Sequence, residues 1–328
     1  KILLNLDHED GDSILAGCAG GGITEALFTP EKMPAAEGRV WRRLFVSGLL
    51  SGHSGIDIAS GRANALKVAA GFFAEFADAE VTEVSGGTKS NVIPKEAAVL
   101  FSLPPDAEPR LNAAFAAYER RMREAYRHTD AGISLRLEAA DAPESVWTPA
   151  FSRRFLRALN ACPSGVLAFM DEGEGRKQVL TSTNLAASGE LADGRISVVS
   201  LTRSAENEKR DGLSAEVAKI FADAGAEVNQ FGKFPGWLLP KDAPLISTAS
   251  SVYEKMFGRR PEIITTHGGV ECGMIQEKYP DMQIISLGPT ITGCHTPEEQ
   301  LSLASLADTE RFLFALIREL TARVFPEQ

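Results

Sequence analysis

Apolar positions along the chain change their spacing three times, and each spacing predicts a different kind of element. At the start, ILLNL (2–6) and SILAGC (13–18) are short continuous apolar runs broken by Asp7-His8-Glu9-Asp10-Gly11. They read as two buried strands, with an acid at the exit of the first. Gly20-Gly21-Gly22 then predicts a tight turn or hinge. From Val40 the run VWRRLFVSGLL predicts a long strand, and Leu66, Ala69, Phe73 and Phe76 recur at helical spacing within 60–78. Strands follow at 81–85 and 97–103, a charged helix at 106–127, and an alternating strand at 133–140.

A second round begins with a helix over 149–161. It continues with strands at 179–191 and 195–207 joined by an Asp193-Gly194 turn, a helix over 208–224 and the strand AEVNQFG. After GKFPGWLLP the order becomes helix (244–257), strand (262–266), helix (268–278), strand (283–287) and a long amphipathic helix (304–325). Strict alternation of this kind predicts a parallel sheet covered by helices.

The predicted architecture is therefore an α/β domain in two pieces, residues 1–20 and 234–328. An α+β domain of two similar halves, residues 21–233, is inserted between them.

Composition narrows the function classes. The chain of 328 residues is 44% hydrophobic and 24% charged, with 34 basic and 44 acidic side chains and a net charge of -10. No basic stripe is present, which argues against nucleic acid, and no apolar run approaches the roughly 18 residues of a membrane span. The four cysteines are widely spaced and form no CxxC pair, which argues against a zinc ribbon or a thioredoxin-like motif, and reduced thiols in a cytoplasmic protein are expected. No secretory signal is visible.

Five places could carry chemistry. Asp7 either caps a turn or ligates a metal, and His295 lies in the Gly- and Thr-rich run SLGPTITGCHTPEEQ. An acid and an imidazole almost 290 residues apart suit a metal site assembled from distant parts of a chain. His53, in SGHSG, is an imidazole that two flanking glycine-serine pairs would present on a protruding loop with few steric constraints. Asn91, before Val-Ile-Pro, makes an Asx-turn or contacts substrate. Arg203, at a strand end, clamps a carboxylate or forms a surface ion pair.

Seven motifs, LLNLDHED, GLLSGHSGIDIASGRAN, GGTKSNVIP, SLTRSAEN, FPGW, THGGVECGMIQEKYPDM and SLGPTITGCHTPEEQLSL, occur in one order from residue 3 to residue 303. In that order they resemble the aminoacylhistidine dipeptidase family, of the aminoacylase and carnosinase type of co-catalytic zinc peptidases. Each motif alone is weak, and the ordered set is specific.

The resemblance implies that Asp7 and His295 are metal ligands in a site holding two zinc ions about 3.5–4 Å apart. It implies that His53 reaches the active site of a partner subunit and stabilises an oxyanion. It also implies that Asn91, Arg203, His267 and Gly269 bind the dipeptide substrate, and that the inserted domain is a lid that forms a homodimer. Hydrolysis of Xaa-His dipeptides such as carnosine by a metal-activated water is the implied activity. A non-catalytic dimerisation or binding module and an aminoacylase-type amidohydrolase are the alternatives. The family also carries an HxD pair, a bridging Asp and a Glu-Glu pair with the general base, upstream of the NLD motif, and none of these is in the sequence. On that ground the chain is expected to be the C-terminal two-thirds of a dipeptidase with an incomplete catalytic domain, inactive alone.

Overall fold

The computed structural model describes residues 1–76, 78–173, 176–294 and 297–324. The first part of the chain contains β1 (Ile2–Asn5), β2 (Ser13–Cys18), β3 (Gly20–Phe28), β4 (Lys32–Pro34), β5 (Val40–Ser47), α1 (Ala65–Glu75), β6 (Glu80–Gly86) and β7 (Ala97–Leu103). Next come α2 (Glu108–Ala125), β8 (Ser134–Ala139), β9 (Ser145–Trp147), α3 (Pro149–Ala161), β10 (Gly165–Gly173), β11 (Arg176–Glu190), β12 (Ile196–Ser204), α4 (Asn207–Asp223) and β13 (Glu227–Phe234). The last part holds β14 (Trp237–Leu238), α5 (Pro244–Phe257), β15 (Glu262–Thr266), α6 (Cys272–Lys278), β16 (Gln283–Ser286), β17 (Ile291–Thr292), β18 (Gln300–Leu301) and α7 (Leu303–Val324).

These elements form two compact units. One contains Lys1–Gly20, Ser204–Asn207 and the chain from Phe234 onward; the other contains Gly21–Arg203 and Glu208–Lys233. The predicted turn at Gly20–Gly22 is not there: these residues begin β3. Gly20 is instead a close-approach position, where a Cβ would stand 2.6 Å from the Phe234 carbonyl oxygen.

In the first unit the sheet runs β1-β16-β2-β14, with β15 also paired to β2. β1 is parallel to β16 and β15 to β2, but β2 is antiparallel to β16 and to β14. The sheet is thus mixed, not parallel as the alternation predicts. The short connection from β1 to β2 cannot supply the dozen or more residues that a parallel crossover needs. β1 is also not a buried strand: Ile2 is 44% exposed, and the remaining three residues are only half-buried.

β2 is the buried centre. Ile14 and Ala16 face one cluster with Leu245, Ile246, Phe312 and Leu316 of α5 and α7, while Leu15 and Cys18 face another with Trp237 and Cys272. Burial on both faces explains why its sequence is a continuous apolar run.

In the second unit the long sheet runs β13-β3-β12-β11-β6-β7-β5-β8, with β10 paired to β11. The strands β5, β6, β7 and β8 lie in the spatial order fourth, first, third, second, and so do β3, β11, β12 and β13. α1 and α3 pack under the sheet on one large core that includes Phe28, Leu44, Phe72, Phe101, Phe155 and Phe221.

Helix starts are chemically specified. The Asn64 side chain accepts the Leu66 and Lys67 amides at 3.0 and 3.2 Å to cap α1. Thr148 caps α3 ahead of Pro149. Lys67 then joins the two helices, its Nζ donating to the carbonyls of Leu159, Asn160 and Cys162 where α3 ends.

Phe28 is fully buried and meets Phe151, Phe155 and Phe221 edge-on. Phe28→Ala should cost about 3–5 kcal/mol by leaving a cavity that three rings cannot close. Denaturant unfolding checks this, and a loss under about 1 kcal/mol would show that the core collapses freely around the site.

Candidate functional site

The site-like residues fall into two sets, one in each unit. In the first unit, backbone contacts bring the opening loop to the loop after β16. The His8 amide donates to the Leu287 carbonyl at 3.2 Å, and the Glu9 carbonyl accepts the Ile291 amide at 3.0 Å. Gly288 permits this approach, since a Cβ there would overlap the His8 main chain. Thr290 Oγ1 accepts the Gly11 amide at 3.3 Å.

Asp7 lies in this joined region with its residue exposed, and its amide donates to the Asn5 side chain at 3.0 Å. Asn5 also donates to the Glu271 carboxylate. The opening strand is thereby tied to the His267–Glu271 loop.

His267 is buried, at 9% exposure, directly after β15. The Gly268 amide donates to Thr266 Oγ1 at 3.1 Å. Gly269 is faced by the Phe234 ring, 2.7 Å from where a Cβ would sit, so a side chain there would displace the ring. Cys18 and Cys272 lie beneath this loop in one apolar cluster with Trp237. Burial and then the neighbouring Glu271 charge push the Cys272 thiol up to about 12, and burial also raises Cys18. Both are protonated, inert thiols at neutral pH. All four cysteines are free.

His295 lies outside the described residues. Among the described residues no three His, Cys, Asp or Glu side chains gather as a metal ion would require. Asp7 offers one carboxylate of the right chemistry, but the described residues alone do not make a zinc centre.

The second set surrounds His53. The expected protruding, sterically open loop is in fact pinned from four sides and half-buried. His53 forms a two-stranded bridge with Val92, in which the Ser54 amide donates to the Asn91 carbonyl at 2.8 Å and the Ile93 amide to the Gly52 carbonyl at 2.9 Å. The structure therefore brings His53 and Asn91 together. The Asn184 side chain on β11 donates to the carbonyls of Val92 (2.8 Å) and Ser90 (3.3 Å), fixing the Asn91 segment to the sheet.

Asp57 Oδ2 accepts the His53 amide at 2.8 Å, and its other oxygen pairs with Arg62 at 3.2 Å. Arg62 reaches back to the Ser51 carbonyl. Asp130, fully buried, closes the base of the loop by accepting the Leu50 amide at 2.8 Å and the Ala63 amide at 2.7 Å.

Arg203 is not at the surface. It is 5% exposed on β12, and burial pulls its pKa below the usual guanidinium value. Next to it, Thr202 meets Thr183 at 3.4 Å, and the following residue is Asn184.

Asp57, Asp130 and Asn184 are positioning residues that local sequence does not single out. Asp130→Ala should leave two amides without their acceptor at once and cost at least about 2 kcal/mol, with Asp130→Asn intermediate. Amide hydrogen exchange at Leu50 and Ala63 should rise in step. Unchanged exchange at both would show that the loop is held by other means.

Residues 46–130 match the family model described as a peptidase dimerisation domain. The cytosol non-specific dipeptidase of Escherichia coli (strain K12) is 31% identical over 327 residues, which is 98% of this chain and 66% of that protein. The crystal structure of aminoacylhistidine dipeptidase from Vibrio alginolyticus superposes with a TM-score of 0.90 at 32% identity, over 97% of this chain and 65% of that one. The chain thus spans about two thirds of the length of the relatives it matches. An alignment spanning 98% of the chain at 31% identity, with the same fold over 97% of it, shows that the chain belongs to the family of the aminoacylhistidine and cytosol non-specific dipeptidases.

Proposed function

We propose that this chain serves the hydrolysis of dipeptides, supplying substrate-binding groups and a dimerising lid in a zinc-dependent metallopeptidase of the cytoplasm. The observation that carries this reading is the match of 98% of the chain to a cytosol non-specific dipeptidase. Support also comes from the joined Asp7 and Leu287–Ile291 loops, and from a His53–Asn91 pair held on the sheet by Asn184. No helix among the described residues is long and apolar enough to cross a membrane.

In this reading Asp7 and His295 bind metal, which would activate the attacking water. Arg203 receives the free carboxylate of the dipeptide, for which a guanidinium held in a buried position is suited. His267 and Gly269 line the pocket. Asn91 orients the substrate, and His53 donates a hydrogen bond to the carbonyl oxygen as it gains charge, acting on the site of the partner subunit. The dimerisation-domain match supports assembly as a homodimer through the second unit. The repeated strand order of its two sets of four strands supports two similar halves. Nucleic acid and membrane are not partners in this reading.

In this reading the sequence supplies Asp7 and His295 as metal ligands but, upstream of the NLD motif, no HxD pair, bridging Asp or Glu-Glu general base, so the 328-residue chain by itself is expected not to hydrolyse dipeptides. The natural protein should cleave carnosine faster than N-acetyl amino acids and lose activity on chelation. Preference for N-acetyl amino acids would instead place it with the aminoacylases. Zinc-dependent carnosine hydrolysis by the 328 residues alone would contradict the incomplete-site reading.

A further inference from the structure

The loop around His53 holds the imidazole ring as well as the main chain. The Gly55 amide donates to His53 Nδ1 at 3.2 Å. A ring nitrogen that accepts a hydrogen bond carries no proton, so a neutral imidazole must carry its single proton on the other nitrogen. We infer that the Gly55 amide is a positioning group that fixes His53 as the Nε2–H tautomer, so that the far edge of the ring is a donor.

The amide has no freedom to turn away. Gly55 is buried. Ser54, before it, donates its amide to the Asn91 carbonyl at 2.8 Å. Ile56 and Asp57, after it, both donate to the His53 carbonyl, at 3.0 and 2.8 Å. The His53 amide in turn donates to Asp57 Oδ2, and Arg62 holds that carboxylate from its other oxygen. Five residues of backbone thus close on themselves with the ring as one member.

The fixed tautomer limits what His53 can do. With its proton on Nε2 the ring cannot take up a second proton at that atom, so it does not serve as a general base there. It can donate to an oxygen that gains negative charge, and such a preset donor needs no reorientation as the charge develops. The identity of that oxygen, a scissile carbonyl, rests on the dipeptidase reading; the tautomer does not.

The five histidines of the chain allow a direct test. In the 328-residue chain labelled with 15N-histidine, a long-range proton–nitrogen spectrum should show His53 with an unprotonated Nδ1 and a protonated Nε2, assigned by the signals lost in His53→Gln. Gly55→Pro, which lacks the amide proton, should move the Nδ1 and Nε2 shifts toward the exchanging pair of a free imidazole, while Gly55→Ala, which keeps it, should leave them in place. A protonated Nδ1, or shifts unaltered by Gly55→Pro, would overturn the inference.

Activity of the natural protein separates the dipeptidase reading from the tautomer. A Gln side chain places its amide donor near the Nε2 position and an Asn near Nδ1. His53→Gln should therefore keep at least about tenfold more kcat than His53→Asn, with KM little changed, because loss of an oxyanion donor costs about 100-fold or more. Equal kcat in the two variants with the Nε2–H spectrum intact would leave the tautomer standing and remove His53 from the oxyanion.

Discussion

The organisation of the second unit around His53 depends on one buried carboxylate. Asp130 has no exposed surface and binds the amides at both ends of the loop from Leu50 to Ala63. A buried acceptor that satisfies two backbone donors is far stronger than a solvent-facing turn residue, and its loss strands both amides. Everything above it in the loop follows. Asp57 can meet the His53 amide, the bridge to Val92 can form, and Asn184 can fix Asn91 beside it, because the loop closes on a fixed base. The consequence is preorganisation: the His53 and Asn91 backbone is fixed before any ligand arrives.

The first unit uses a different constraint to a similar end. Gly288 lets the main chain run against His8, so two stretches almost 280 residues apart in sequence are joined by backbone bonds. Asn5 extends the joint to Glu271. Asp7, the His267 loop and the segment leading toward His295 therefore belong to one local region, although the chain visits it at three separate times.

Much of this was readable in the sequence because periodicity is local. The apolar runs of β2 and β7, the faces of α1 and α3, and the Asp193-Gly194 turn each announce themselves within about ten residues. β10 did not. Its larger apolar side chains, Leu167 and Phe169, point outward at 48% and 51% exposure, so the usual inward alternation is reversed. The mixed sheet of the first unit is not legible from alternation, because strand direction depends on connection length as well as on helix–strand order. Asp130 and Asp57 look like turn residues, since the amide partners of Asp130 lie 80 and 67 residues away. Burial of Arg203 was likewise invisible at a strand end whose neighbours are Ser and Thr. The motifs carried the family, and only long-range contacts could show how the His53 loop is built.

In the proposed function, the loop anchored by Asp130 presents His53 to the site of a second copy of the protein. Two variants of the natural protein, His53→Ala and Asp7→Ala, test it most directly when mixed and allowed to exchange subunits. If His53 acts across the dimer, each mixed dimer regains one intact site and the mixture recovers roughly a quarter of the wild-type rate, although each variant alone is nearly inactive. No recovery after exchange, with mixed dimers shown to be present, would mean that His53 serves its own subunit and would contradict the account.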